Sequence, residues 1–169
     1  MSNEALLQAL APILKALPAL VDKSPEEAKA ELDRQFPMSS LTSLKALVRS
    51  GVVDGWLCDK TAQPQTWGGK GSPIRFSRVQ KAADAAAFSV DAVHMSWVGA
   101  GHTHPNGEFD LCFAVEGEPS FDLQPEGWTV YGKDTWHEPT VRGGVMDILY
   151  FLPGGQIRFE SEFERKPTT

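Results

Sequence analysis

The stretch Gly99-Ala100-Gly101-His102-Thr103-His104-Pro105-Asn106-Gly107-Glu108 holds two histidines two residues apart, a Pro-Asn-Gly turn signal and then an acid. Side chains alternate along a strand with period two, so His102 and His104 share one face. Glu108 has their parity, and where strand geometry resumes after the turn its carboxylate returns to that face. Downstream, His137 closes the segment Tyr131-Gly132-Lys133-Asp134-Thr135-Trp136-His137. A histidine from a later antiparallel strand completes three imidazoles and one carboxylate. Such a set suits one divalent transition metal ion, Fe(II), Mn(II), Ni(II) or Zn(II), with positions left for substrate or water. The expected ligands are therefore His102, His104, Glu108 and His137. A lone histidine in a strand is usually a satisfied polar residue, which is one reading of His94. It also shares the parity of His102, which makes it a candidate base if it faces inward.

Outward from this stretch the chain reads as β structure. Short apolar or alternating runs occur at 55–58, 74–79, 88–98, 109–116, 120–123, 129–131, 145–152 and 156–163, separated by Gly, Pro and Asp breaks. That spacing predicts an antiparallel sandwich or barrel. Residues 82–87 read as one helical turn, and 61–73 as a loop rich in Gly, Gln and Pro, either a lid or an ordered surface loop. After the turn, Glu108, Asp110, Cys112, Ala114 and Glu116 alternate with Phe109, Leu111, Phe113 and Val115. If the acids look inward, the large apolar side chains look outward and need a cover. N-terminal helices or a second subunit would provide it, and a homodimer is expected.

The first fifty residues have helical texture. Leu6, Leu7, Leu10, Ile13, Leu14, Leu17, Leu20 and Val21 form one stripe at three- and four-residue steps, interrupted by Pro12 and Pro18. A kink or two short helices follows. The stripe packs either on its own domain or against a second copy. Ser24, Pro25 and Glu27 predict a capped second helix ending near Phe36-Pro37. A third helix is expected from Ser39 or Ser40 to Ser50, with Gly51 as a left-handed terminator. The division is thus a helical segment, 1–51, and a β domain, 52–169.

The chain has 169 residues, 41% of them hydrophobic, ample for a packed core. Its formal net charge of −6, without a basic cluster, argues against nucleic acid and anionic membrane as partners. No apolar run approaches a membrane span, and the N-terminus lacks the pattern of a secretory signal. Cys58 and Cys112 read as two buried, reduced thiols, so a soluble cytoplasmic protein is expected.

His102, His104, Glu108, Gly117 and His137 resemble, in order, the two motifs of the cupin superfamily. The resemblance implies a mainly β fold, a cupin-type antiparallel β-barrel (double-stranded β-helix or jelly roll), with an N-terminal helical extension. Gly117 stands two residues further from Glu108 than that motif has it. Counting back from it gives Asp110, so the acidic ligand is either Glu108, preferred for its spacing, or Asp110. The glycine of the second motif is likewise far from His137. Residues 55–58, 67–71, 101–113 and 132–139 are similar to the small bacterial 4-hydroxylaminobenzoate lyases. That likeness implies conversion of 4-hydroxylaminobenzoate to 3,4-dihydroxybenzoate with release of ammonia. The metal would act as Lewis acid on the hydroxylamine oxygen, and Asp110 or His94 as base. The substrate carboxylate would need an arginine, with Arg75, Arg78, Arg142 and Arg158 as candidates and Arg75 and Arg158 favoured by their apolar neighbours. Trp97 and Trp136 would wall the ring. Competing readings are a metal-dependent dioxygenase on a small aromatic or thiol substrate, and a non-catalytic small-molecule-binding cupin.

Overall fold

The N-terminal third folds much as its apolar spacing predicts. The computed structural model describes residues 2–62, 74–84 and 86–159. Helix α1 spans Asn3–Ala16, with Pro12 inside it, and a 3-10 turn follows at Leu17–Leu20. The break falls at Pro18 rather than Pro12. Helix α2 spans Pro25–Gln35 and carries the expected capping box: Glu27 N–H donates to Ser24 Oγ at 3.2 Å and Ser24 N–H to the Glu27 carboxylate at 3.1 Å. Helix α3 runs over Thr42–Asp54, past the expected end, and its left-handed terminator is Gly55 at φ 77°. Gly51 lies inside the helix, where a Cβ would meet Leu57 Cδ1 at 2.7 Å. Its small size serves packing. The strand expected at 55–58 is instead the turn that folds Leu57 onto this glycine.

Among the described residues nine strands follow: β1 Lys60–Thr61, β2 Arg75–Gln80, β3 Phe88–Met95, β4 His102–His104, β5 Glu108–Phe121, β6 Gly127–Tyr131, β7 Thr135–His137, β8 Val141–Pro153 and β9 Arg158–Phe159. They form two antiparallel sheets, in the orders β1-β2-β3-β8-β5-β6 and β7-β4-β9. The architecture is mainly β, of cupin type, with two sheets rather than one continuously hydrogen-bonded barrel among the described residues. The runs expected at 109–116 and 120–123 are one strand. Its register against β8 shifts between Ala114 and Glu116 and again between Gly117 and Ser120. The first of these bulges lies between Glu108 and Gly117 and adds one residue to their spacing; the second lies beyond Gly117. Among the described residues of 82–87, a turn forms at Asp84: its Oδ1 accepts from Ala86 N–H and Ala87 N–H at 2.9 and 3.0 Å, and its carbonyl from Ala87 N–H at 3.3 Å. The loop at 63–73 lies outside the described residues.

The large sheet has two unlike faces. Phe88, Val90, Ala92, Phe109, Leu111, Phe113, Trp128, Leu149 and Phe151 share one buried cluster with Leu6, Leu10, Ile13, Leu17, Leu32 and Val48 of the helical segment. The outward apolar side chains of β5 are therefore covered by the chain's own helices, at about 1.5–3 kcal/mol for each large side chain buried. The leucine stripe is spent on this core and gives no support to a dimer contact. On the opposite face, Met95, Cys112, Phe121, Val141, Met146, Ile148 and Tyr150 form a second cluster. Both cysteines are free and buried, as expected. Among the described residues no helix is long and apolar enough to cross a membrane.

Candidate metal centre

Strand β4 supplies His102 and His104, and β7 pairs with it antiparallel, setting His137 opposite His102 and Thr135 opposite His104. Between His104 and Glu108 the chain reverses through Pro105-Asn106-Gly107. Gly107 N–H donates to His104 O at 3.2 Å, and Gly107 has φ 84°, a conformation that favours glycine. This turn hands the chain to the large sheet, so Glu108 at the head of β5 faces the three histidines. His102, His104, Glu108 and His137 are all buried, and one donor atom from each lies within 4.8 Å of every other. His104 Nε2 is 3.0 Å from His137 Nε2 and 3.0 Å from Glu108 Oε2, and His137 Nε2 is 3.1 Å from His102 Nε2.

These contacts are not ordinary hydrogen bonds. His102 Nδ1 lies 2.8 Å from the carbonyl of Ala100, and His137 Nδ1 lies 2.7 Å from Asp122 Oδ2; both acceptors require an Nδ1–H donor. A neutral imidazole has one N–H, so both Nε2 atoms present lone pairs to each other. Burial, against the opposing pull of Glu108, holds His102 down at about 4, neutral at pH 7. Glu108 Oε1 is buried without a hydrogen-bond partner among the described residues. Converging lone pairs and an unpartnered carboxylate oxygen fit a cation. Donors about 2.1 Å from a common centre at right angles are about 3.0 Å apart, which matches the spacings found.

Of the two acids, Glu108 is the one whose carboxylate lies in the cluster with the three histidines. Asp110 lies on the same face, one pleat along, and is wholly buried. Burial, then the charge of Glu108, push its carboxyl well above the usual range. Cross-strand register places Asp110 in a row with Thr129, Tyr150, Asp91 and Arg78. Glu108 pairs with Tyr131 in the adjacent row. Arg78 Nε donates to Asp91, whose carboxyl is pushed up by burial against the pull of Arg78.

Other expected site residues lie elsewhere. His94 shares its face with Val90 and Ala92, turned to the helices. Its Nδ1 is 2.6 Å from Asp147 Oδ1, and Arg49 of α3 reaches Asp147 Oδ2 at 3.3 Å. Parity failed because the chain leaves β3 at Met95 and enters the other sheet before His102. Arg75 pairs with His94 and shares this far face. In the small sheet, Arg158 and Trp136 both pair with Thr103, on the face opposite His102 and His137. Trp136 lies on the face of the small sheet away from His102 and His137, and Trp97 lies outside the strands. Rings beside the donors include Phe159, 5.3 Å from His102 between centroids, and Tyr131, 4.2 Å from His137.

Sequence reasoning missed Asp122. Its Oδ2 accepts from His137 Nδ1 and Tyr131 OH, and its Oδ1 from Thr140 N–H at 2.7 Å. Burial pushes its carboxyl up, but these three hydrogen bonds outweigh that and hold it below the ordinary range. The available signal was an acid inside the otherwise apolar run Phe121-Asp122-Leu123.

The two facing sheets and the buried three-histidine, one-carboxylate set define a cupin with a candidate metal centre. A family model described as PnbB, 4-hydroxylaminobenzoate lyase, matches residues 13–159, and the chain belongs to that family. A 4-hydroxylaminobenzoate lyase of Nocardioides sp. (strain LMS-CY) is 32% identical over 124 residues, 68% of this chain and 69% of the relative. That of Pseudomonas putida is 28% identical over 135 residues, 69% of this chain and 72% of the relative. Among solved structures, an RmlC-like cupin from Ralstonia eutropha aligns with TM-score 0.43 at 9% identity, over 59% of this chain and 67% of that one. A putative acetylacetone dioxygenase from Methylibium petroleiphilum aligns with TM-score 0.42 at 11% identity, over 57% and 72%.

Proposed function

We propose that this chain is a metal-dependent lyase that converts 4-hydroxylaminobenzoate and water to 3,4-dihydroxybenzoate and ammonia, within nitroaromatic degradation. The carrying observation is the buried His102, His104, Glu108 and His137 set in a chain of this family. The exchange is redox-neutral overall, since water supplies the oxygen and ammonia carries off the nitrogen. A divalent ion held by the four donors would supply Lewis acidity toward the hydroxylamine oxygen. The residues around it bind and orient. Phe159 and Tyr131 are the apolar surfaces beside the donors, in place of Trp97 and Trp136. Asp110, one pleat from Glu108, is the carboxyl placed to exchange a proton with the reacting ring or the departing nitrogen. Arg78 is the arginine whose strand position shares the Glu108 face, in place of Arg75 or Arg158. Asp91 accepts a hydrogen bond from its Nε–H, leaving the terminal nitrogens of a five-donor guanidinium for a substrate carboxylate.

In this reading the enzyme works in the cytoplasm on a small aromatic carboxylate, as a homodimer. With the leucine stripe buried, exposed Trp97 and Trp136 are two of the large apolar groups left to meet a second copy, beside Val53, Phe76, Leu123 and Phe159. The deciding experiment incubates metal-replete protein anaerobically with 4-hydroxylaminobenzoate and follows ammonia and 3,4-dihydroxybenzoate. Both products should appear in equal amounts without O2. No product, or product only with O2, overturns the lyase reading. His102→Ala and His137→Ala should each bind far less metal than the parent. Unchanged stoichiometry in either removes that residue from the ligand set.

A further inference from the structure

Asp122 stands just beyond β5, in a left-handed conformation at φ 46°. Two bonds to one residue hold it there: its N–H donates to Thr140 O at 2.9 Å, and its Oδ1 accepts from Thr140 N–H at 2.7 Å. The carboxylate is thereby fixed with Oδ1 on the backbone and Oδ2 toward His137 and Tyr131. The three histidines are then unequal. Behind His137 stands a carboxylate, behind His102 the neutral carbonyl of Ala100, and behind His104 nothing among the described residues, its Nδ1 being buried and unpartnered. An anionic acceptor on Nδ1–H fixes the tautomer and makes the opposite nitrogen a stronger donor.

We infer that Asp122 is the positioning residue of the centre: it pins the His137 proton on Nδ1 and so makes Nε2 of His137 the strongest imidazole donor to a bound metal. The inference rests on the reading that the four-residue cluster holds a metal. Tyr131 strengthens the arrangement. Its hydroxyl donates to the same Oδ2, its ring lies against His137, and its strand position pairs with Glu108. One residue beside Asp122 thus touches both halves of the donor set.

Asp122→Asn separates this role from holding the turn. The Thr140 N–H requires an acceptor, so the amide oxygen must remain on that side, turning the amide NH2 toward His137. A donor then faces Nδ1, and the His137 proton must move to Nε2, the nitrogen needed for the metal. The turn survives and the donor is lost. In metal-free protein with 15N-labelled histidine, NMR should show the His137 proton on Nδ1 in the parent and on Nε2 in Asp122→Asn. Zinc affinity, measured by competition with a chromophoric chelator, should fall about 10–100-fold in the variant. A loss smaller than about tenfold, or an unchanged tautomer in the variant, overturns the inference. A parent with the proton on Nε2 overturns it without any variant, which covers an Asp122→Asn protein that does not fold. Parent protein that binds no zinc refutes instead the underlying reading of the cluster.

Discussion

Gly107→Ala is the substitution that most directly probes the joint between the two sheets. A Cβ at this position would stand 2.8 Å from the carbonyl oxygen of Tyr131, closer than a carbon approaches backbone oxygen without displacing it. The residue also sits at φ 84°, where an L side chain is disfavoured by about 1–2 kcal/mol. Shifting a strand carbonyl adds the cost of local overpacking, about 1–3 kcal/mol. The sum, about 2–5 kcal/mol, corresponds in a domain of this size to a Tm lower by about 4–20 °C. Thermal unfolding of metal-free protein, followed by calorimetry, reads this without interference from ligand. Gly132→Ala is the control, because its Cβ would meet nothing nearer than Pro25 Cγ at 3.5 Å, an ordinary contact. It should change stability by less than about 0.5 kcal/mol. If the two variants melt together, within about 1 °C, the account of this turn is wrong.

Three further outcomes are expected. Arg78→Ala should raise KM for 4-hydroxylaminobenzoate at least tenfold while Arg75→Ala stays within about threefold; the reverse order would return the carboxylate to the far face. Leu111→Ala removes a fully buried side chain between sheet and helices and should cost about 2–5 kcal/mol in denaturant titrations. A loss below about 1 kcal/mol would mean that the helices do not form the cover. Burial, reinforced by the charge of Asp147, pushes the Cys58 thiol up to about 12. A group raised on folding stabilises fully below its unfolded value, about 8.5, and that contribution is lost as pH climbs toward 12. The parent should therefore lose about 1.4 kcal/mol per pH unit in this window relative to Cys58→Ala. Parallel pH–stability curves for the two proteins would contradict it.

The sequence carried what depends on local order. Parity placed His102 and His104 together, the Pro-Asn-Gly turn returned Glu108 to them, and the capping box at Ser24 formed as read. It also showed that the apolar side of β5 needs a cover. What it could not carry is anything set by the path between elements. His94 has the parity of His102 but lies in the other sheet, so the rule fails across the connection. Arg75 and Arg158 have persuasive apolar neighbours, yet register against His94 and Thr103 turns each away from the donors. Gly117 stands further from Glu108 than the motif has it in part because the bulge between Ala114 and Glu116 adds a residue without advancing the ladder. Asp122 shows locally only as an acid in an apolar run, and its role depends on His137, Tyr131 and Thr140, which come from elsewhere in the chain.

The donors come from both layers of the fold: three imidazoles from the small sheet, one carboxylate from the large one. An ion bound to all four would act as a rivet between layers otherwise joined by the connecting turns and side-chain packing. Occupancy then becomes a mechanical property as well as a chemical one. At a free concentration a thousand times its dissociation constant, such an ion adds about 4 kcal/mol to the folded state. The protein's resistance to unfolding would thus report how well the cell keeps the enzyme supplied with metal, and a starved molecule would be the one first cleared.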